Sequence, residues 1–151
     1  MSDVTDEVGM AIARLALSER VQRLSEEDAT RITAELLTSF VVGGDRRWWW
    51  EAFRQPSASK AFHDDRGFEH IVDLVPNRAE KCWFVVEDVD SDSYPVYDAT
   101  PEDAASIVGE CFAFEYYIAP KSKHWLICEN HHGRIIGVGE DVTRAISDDA
   151  G

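Results

Sequence analysis

The stretch "KCWFVVED", residues 81 to 88, constrains the fold more than any other segment. Successive side chains of a strand point to opposite faces, so Trp83 and Val85 form one set and Phe84 and Val86 the other. Both sets are apolar. A strand of this kind needs protein on both sides and predicts a sheet without a wet face. "CFAFEYYIAP" continues the pattern, with Phe112, Phe114, Tyr116 and Ile118 on one face and Ala113, Glu115 and Tyr117 on the other. "HWLICE" and "RIIGVG" read as two more strands, so the second half predicts an antiparallel sheet of about four strands.

The first half reads differently. Val8, Ile12 and Leu15 recur at helical spacing, and Val21 and Leu24 prolong the apolar content. Ser25 followed by Asp28 is a capping-box pattern, and Ile32, Leu36 and Phe40 then mark a helix from about Glu26 to Val41 that "GGD" at 43–45 closes. Phe68, Ile71, Val72 and Val75 predict a short helix ended by Pro76. Thr100, Pro101 and the acids that follow mark another helix start, and "EDVTRAIS" suits a closing helix. The expected fold class is α+β, with N-terminal helices packed on a C-terminal antiparallel sheet. One domain is expected over 1–151, mainly helical over 1–78 and sheet-rich over 79–151.

Fifteen basic and 29 acidic residues give a net charge of −14. Such a surface repels phosphate backbones and anionic lipid, which predicts no nucleic-acid and no membrane partner and suits a protein with a basic surface. The longest apolar stretches fall far short of the roughly 20 residues that cross a bilayer. "MSDVTDEVGM" lacks the charged-then-apolar pattern of a signal sequence, so a cytoplasmic protein is expected. Between Lys81 and Lys121 there is no Lys or Arg, while Glu87, Asp88, Asp90, Asp92, Asp98, Glu102, Asp103, Glu110 and Glu115 all fall there. That stretch is the expected anionic face. Cys82, Cys111 and Cys128 sit among apolar residues and read as small buried hydrophobes.

Few motifs carry chemistry. In "CENHHGRIIGVG", residues 128 to 139, Asn130 and Gly133 occupy the first and fourth positions of a type I turn and need no functional reading. His131 and His132, beside Glu129, read as solvated turn residues, as part of a binding surface, or as catalytic or metal-binding groups, because imidazole changes charge near neutral pH. Cys128 points away from Glu129 on a strand, so the local set does not converge on a metal. "DVDSDS" mimics the opening of a calcium loop, but Ser93 and Ala99 stand where that loop needs Gly and Glu. "GVG" at 137–139 lacks the helix pattern that cradles a phosphate. His63, Asp64 and Asp65 bring acid–base types together without a nucleophile. No metal or cofactor is expected. Three consecutive tryptophans, Trp48, Trp49 and Trp50, cannot share one face, so they pack in two directions or leave one ring as a contact.

The run "CWFVVED", "PVYDAT", "GECFAFEYYIAP", "HWLICENHHG" and "IIGVGE" resembles a family of small uncharacterised bacterial proteins over roughly the last 70 residues. The resemblance implies an α+β protein and transfers no catalytic residue. In character, a small, acidic, motif-poor chain is similar to the immunity proteins that neutralise toxins. The expectation is a non-enzymatic acidic binding module that neutralises a basic partner protein. Its contacts would be Asp88, Asp90, Asp92, Glu129, His131 and His132, with Trp48, Trp49 and Trp50 as anchors. The alternative is a small hydrolase or metal-dependent enzyme using Glu129, His131 and His132.

Overall fold

The computed structural model describes residues 4–43, 49–54, 56–62, 64, 66–88, 94–111, 114–130 and 132–148. Among them, five α-helices, α1 (Val4–Arg14), α2 (Glu26–Phe40), α3 (Gly67–Leu74), α4 (Pro101–Gly109) and α5 (Glu140–Asp148), accompany seven strands. The strands are β1 (Gln22–Arg23), β2 (Ser57–Ala61), β3 (Cys82–Val86), β4 (Val96–Ala99), β5 (Tyr116–Pro120), β6 (Leu126–Glu129) and β7 (Arg134–Val138). They form one antiparallel sheet in the order β1-β4-β3-β5-β6-β7-β2. The fold class is α+β.

The four strands expected from apolar alternation are β3, β5, β6 and β7, and they are contiguous in the sheet. Three more extend it to seven. β2, "SASKA", is an edge strand whose small and polar residues carry no apolar alternation; pairing with β7 in full register makes it a strand. β4 supplies only four residues and β1 two, too few for a period to show. Because β1 and β2 come from the first half, that half is not simply helical. The helical run at the start also stops early: Ala16 turns to φ 57° just after α1, and the chain reaches β1 six residues later.

Two buried clusters lie on opposite sides of the strands. Phe84, Val86, Tyr116, Ile118, Ile127 and Ile135 share the first with residues of α1, α3, α4 and α5. Val85, Val96, Tyr117, Leu126, Cys128 and Ile136 share the second with residues of α2 and of the 3-10 turn Trp49–Ala52. The alternation of β3 therefore works as its sequence demands, and all five residues of β5 are buried. Helix starts follow their caps. Ser25 accepts the Asp28 N–H at 3.1 Å, and Thr100 accepts the Asp103 N–H at 3.1 Å ahead of Pro101. α2 ends at Phe40 with Val41 extended, and Gly43 turns the chain at φ 83°; Gly44 and Asp45 lie outside the described residues.

One glycine fixes the join between β7 and α5. Gly139 has φ 97°, and a β-carbon there would lie 2.5 Å from the His124 carbonyl oxygen and 3.0 Å from Trp125 Cα. Gly133 shares the positive φ but opens onto empty space. Gly139→Ala is expected to lower unfolding free energy by about 2–4 kcal/mol in urea titration, while Gly133→Ala loses only about 1–2 kcal/mol. Equal losses at the two positions would show that the backbone contact at Gly139 is not a constraint.

Candidate functional site

The hairpin between β6 and β7 is a turn whose geometry uses the residues the sequence offers. Asn130 accepts the Gly133 N–H on its carbonyl at 2.9 Å, and its side-chain oxygen accepts the His132 and Arg134 N–H groups at 3.0 Å each. Gly133 takes φ 75°. Asn130 and Gly133 are thus accounted for by backbone hydrogen bonding.

Glu129 and His132 serve different sides of the sheet. Glu129 stands opposite Tyr116 in the β5–β6 register, and the Tyr116 hydroxyl donates to its Oε1 at 2.9 Å. This is the side of the first cluster, beside α3: a β-carbon on Gly67 would lie 3.2 Å from Glu129 Oε2. Burial pushes the Glu129 carboxyl above the usual carboxylate range, and the Tyr116 hydrogen bond opposes that shift. The exposed His132 ring instead meets the Trp50 ring edge-on, with centroids 5.9 Å apart. Trp50 belongs with the second cluster, and its indole N–H donates to Glu115 Oε2 at 3.1 Å. The Tyr117 hydroxyl donates to the other oxygen of Glu115, also at 3.1 Å, so this carboxylate, 3% exposed, holds two donors. Glu129 and His132 do not converge. His131 lies outside the described residues.

Two other expected contact residues are interior. Asp88, 2% exposed, accepts a hydrogen bond from the Thr5 hydroxyl in the first turn of α1, where the helix end favours negative charge. It is not a wet surface acid. Trp49, 1% exposed, stacks on Tyr117 with centroids 4.3 Å apart and is a core residue rather than an anchor. Of the three tryptophans, Trp50 is half-buried and Trp48 lies outside the described residues, as do Asp90 and Asp92.

The stretch without basic residues draws cations from elsewhere in the chain. Arg20 grips Asp103 with two nitrogens, Lys121 Nζ lies 2.9 Å from Asp98, and Arg14 lies 3.5 Å from Glu110. With Asp88 and Glu115 buried, five of the nine acids of this stretch are engaged within the fold, while Glu102 stays exposed and Asp90 and Asp92 lie outside the described residues; sequence separations of 23 to 96 residues hid these partners.

A pairing that the sequence concealed lies ahead of α3. Asp64 Oδ2 is 3.0 Å from His70 Nε2, and the His70 ring stacks on Phe62 at 4.0 Å with an interplanar angle of 9°. Asp64 also accepts the Arg66 N–H at 3.0 Å; that bond, then His70, holds the Asp64 carboxyl below its ordinary range. The six-residue spacing across a helix start is the only hint the sequence carried. His63 and Asp65 lie outside the described residues.

Other chemistry is damped. Burial pushes the Cys82 thiol up to about 12 and the Cys111 thiol up to about 11, and raises Cys128 well above its ordinary value, so none offers a thiolate at neutral pH. An open groove of about 410 Å³ between α2 and Lys123 holds Arg31 and Lys123, both paired to Glu35 at 3.2 and 2.8 Å. The Lys123 hydrogen bond lowers the Glu35 pKa. Among the described residues no three His, Cys, Asp or Glu gather to hold a metal, and no helix is long and apolar enough to cross a membrane.

Over residues 1–149 the chain matches the model of a family of unknown function, DUF6756. It belongs to that family. No curated protein and no solved structure matches it. The match takes in the N-terminal helices, so the likeness is not confined to the last 70 residues or so, and membership brings no activity and no site with it.

Because Asp88 is interior, Asp88→Asn is expected to cost about 1–3 kcal/mol of unfolding free energy, whereas Glu102→Gln on the exposed side of α4 stays within about 0.5 kcal/mol. Equal, small effects in chemical denaturation would return Asp88 to the surface.

Proposed function

We propose that this protein is a non-enzymatic acidic binding module of immunity-protein character, which neutralises a partner protein with a basic surface. The observation that carries the reading is the charge on the helices that share the first cluster. Their exposed or half-exposed acids are Asp6 and Glu7 on α1, Glu69 and Asp73 on α3, Glu102 on α4, and Glu140, Asp141 and Asp148 on α5. Arg14 and Arg144 are the only Lys or Arg residues in those four helices. Arg66 and Arg78 from the flanking loops engage Glu69 and Asp73. Glu102, Asp141 and Asp148 form no ion pair among the described residues.

The expected binding surface therefore moves from the connection around Asp88 to this helical layer. Opposite charge steers encounter and sets its salt dependence more than it sets final affinity. Half-buried Trp50 beside His132 supplies an aromatic contact of the kind that anchors interfaces, on the other side of the sheet. The hydrolase reading has less support, because Glu129 and His132 work on different sides.

The test is association with the product of the neighbouring open reading frame, or with a protein captured from native lysate and then purified. Glu102→Gln/Asp141→Asn/Asp148→Asn should slow association by about tenfold at low salt and flatten its salt dependence, with little change in dissociation. An acidic captured protein, or unchanged association rates in the triple variant, would overturn the proposal. An enzymatic activity that disappears in Glu129→Gln would favour the hydrolase reading instead.

A further inference from the structure

The sheet ends on two unequal edges. β1 offers two residues, too few to template another strand, whereas β2 offers five in unbroken register with β7. One bond fixes which way the backbone groups of β2 point. Gly139 donates its N–H to the Pro56 carbonyl at 3.1 Å, so 56 and 139 are a hydrogen-bonded pair, one step beyond Ser57 and Val138. Hydrogen-bonded pairs alternate along an antiparallel ladder. Ala58 and Lys60 therefore bond β7, while Ser57, Ser59 and Ala61 turn N–H and C=O away from the sheet. Ser59 and Ala61 are exposed, and among the described residues nothing takes up their outward backbone groups.

This edge lacks the usual guards against strand pairing. Its register with β7 contains no bulge. Lys60, the one charged residue of the strand, lies along it with Nζ 5.2 Å from the Phe62 ring centroid. The remaining side chains are Ser and Ala, small enough for another backbone to approach.

We infer that β2 is the seam of a homodimer, in which a second copy of this chain adds its own β2 antiparallel to the first, about a twofold axis at Ser59, so that the two sheets run together. The strand selects this register. Ser59 opposite Ser59 of the second copy exchanges two backbone bonds at the axis, and Ala61 on either side stands opposite Ser57, another outward-turned residue. All five residues are then paired, and Lys60 faces Ala58 of the second copy. Moving the axis to Lys60 would oppose the two lysines and shorten the ladder.

Charge sets the conditions under which the seam forms. α5 lies close to this edge, because it seats on Gly137, the ladder partner of Ala58, where a β-carbon would lie 2.7 Å from Ile146 Cδ1. Joining the sheets brings the two α5 helices toward each other with exposed Asp141 and Asp148 on each. Each copy also carries a net charge of −14. The dimer thus assembles against like charge and is favoured by added salt, the reverse of what attraction to a basic partner would show.

Sedimentation velocity of the full chain from micromolar to millimolar concentration tests the seam. The wild type should pass from monomer to dimer, more completely in molar salt than at low salt. Ser59→Pro removes an outward N–H and none that β7 uses, so self-association should weaken at least about tenfold while far-UV circular dichroism is unchanged. Hydrogen exchange of the wild type gives a second readout independent of that variant. The Ser59 and Ala61 amides should slow as concentration rises, whereas the Lys60 amide, already bonded to β7, should not. A wild type that stays monomeric at millimolar concentration, or that dissociates as salt is added, overturns the inference. So does a folded Ser59→Pro protein that associates as strongly as the wild type, or exchange at Ser59 and Ala61 that ignores concentration.

Discussion

Two adjacent tyrosines on the central strand satisfy the buried acids on the two faces of this sheet. Tyr116 and Tyr117 lie on opposite faces of β5, and each hydroxyl closes on a carboxylate of its own side, Glu129 for the first and Glu115 for the second. A strand buried on both faces leaves no room for a polar side chain unless it finds a partner in place. Here the ring supplies apolar bulk to the core while its hydroxyl satisfies the acid at the sheet's end. Trp49 against Tyr117, and Phe84 with Phe114 against Tyr116, complete the two sides. A one-residue slip of β5 against β6 would turn Tyr116 to the other face and strand Glu129, so that bond selects the register as well as stabilising it. Tyr117 and Glu115, two residues apart on one segment, would move together.

That arrangement changes what the negative charge is for. Many acids of the stretch between Lys81 and Lys121 are structural: Glu115 binds two donors, Asp88 takes the Thr5 hydroxyl at the start of α1, and Asp103 holds Arg20. Wet charge remains on the helices of the first cluster, whose outward sides carry Glu102, Asp141 and Asp148 without ion-pair partners among the described residues, and on α2 at exposed Glu26 and Glu27.

Much of the fold was legible because it depends on local pattern. Double apolar alternation named β3, short apolar runs named β5, β6 and β7, and Ser25, Thr100 with Pro101, and Pro76 marked helix ends close to where they fall. The turn at Asn130 was legible for the same reason, since its hydrogen bonds close within five residues. What stayed hidden depends on distance along the chain. β2 is a strand because β7 pairs with it, not because "SASKA" alternates. Asp88 looked like a solvated turn acid until Thr5, 83 residues away, reached it. Trp49 and Trp50 differ only by which cluster member each ring meets, and a run of identical residues carries no such information. The Asp64–His70 pair was invisible because a loop of undetermined course separated its members.

Alkaline titration of the phenol groups tests the central claim most directly. Burial raises both Tyr116 and Tyr117 far above the ordinary phenol value of about 10, and the neighbouring carboxylates push the same way. The folded wild type, Tyr116→Phe and Tyr117→Phe should therefore show the same tyrosinate absorbance gain through that range, since neither hydroxyl contributes until the protein unfolds. A smaller gain in either variant while the fold persists would place that hydroxyl in water and contradict the account.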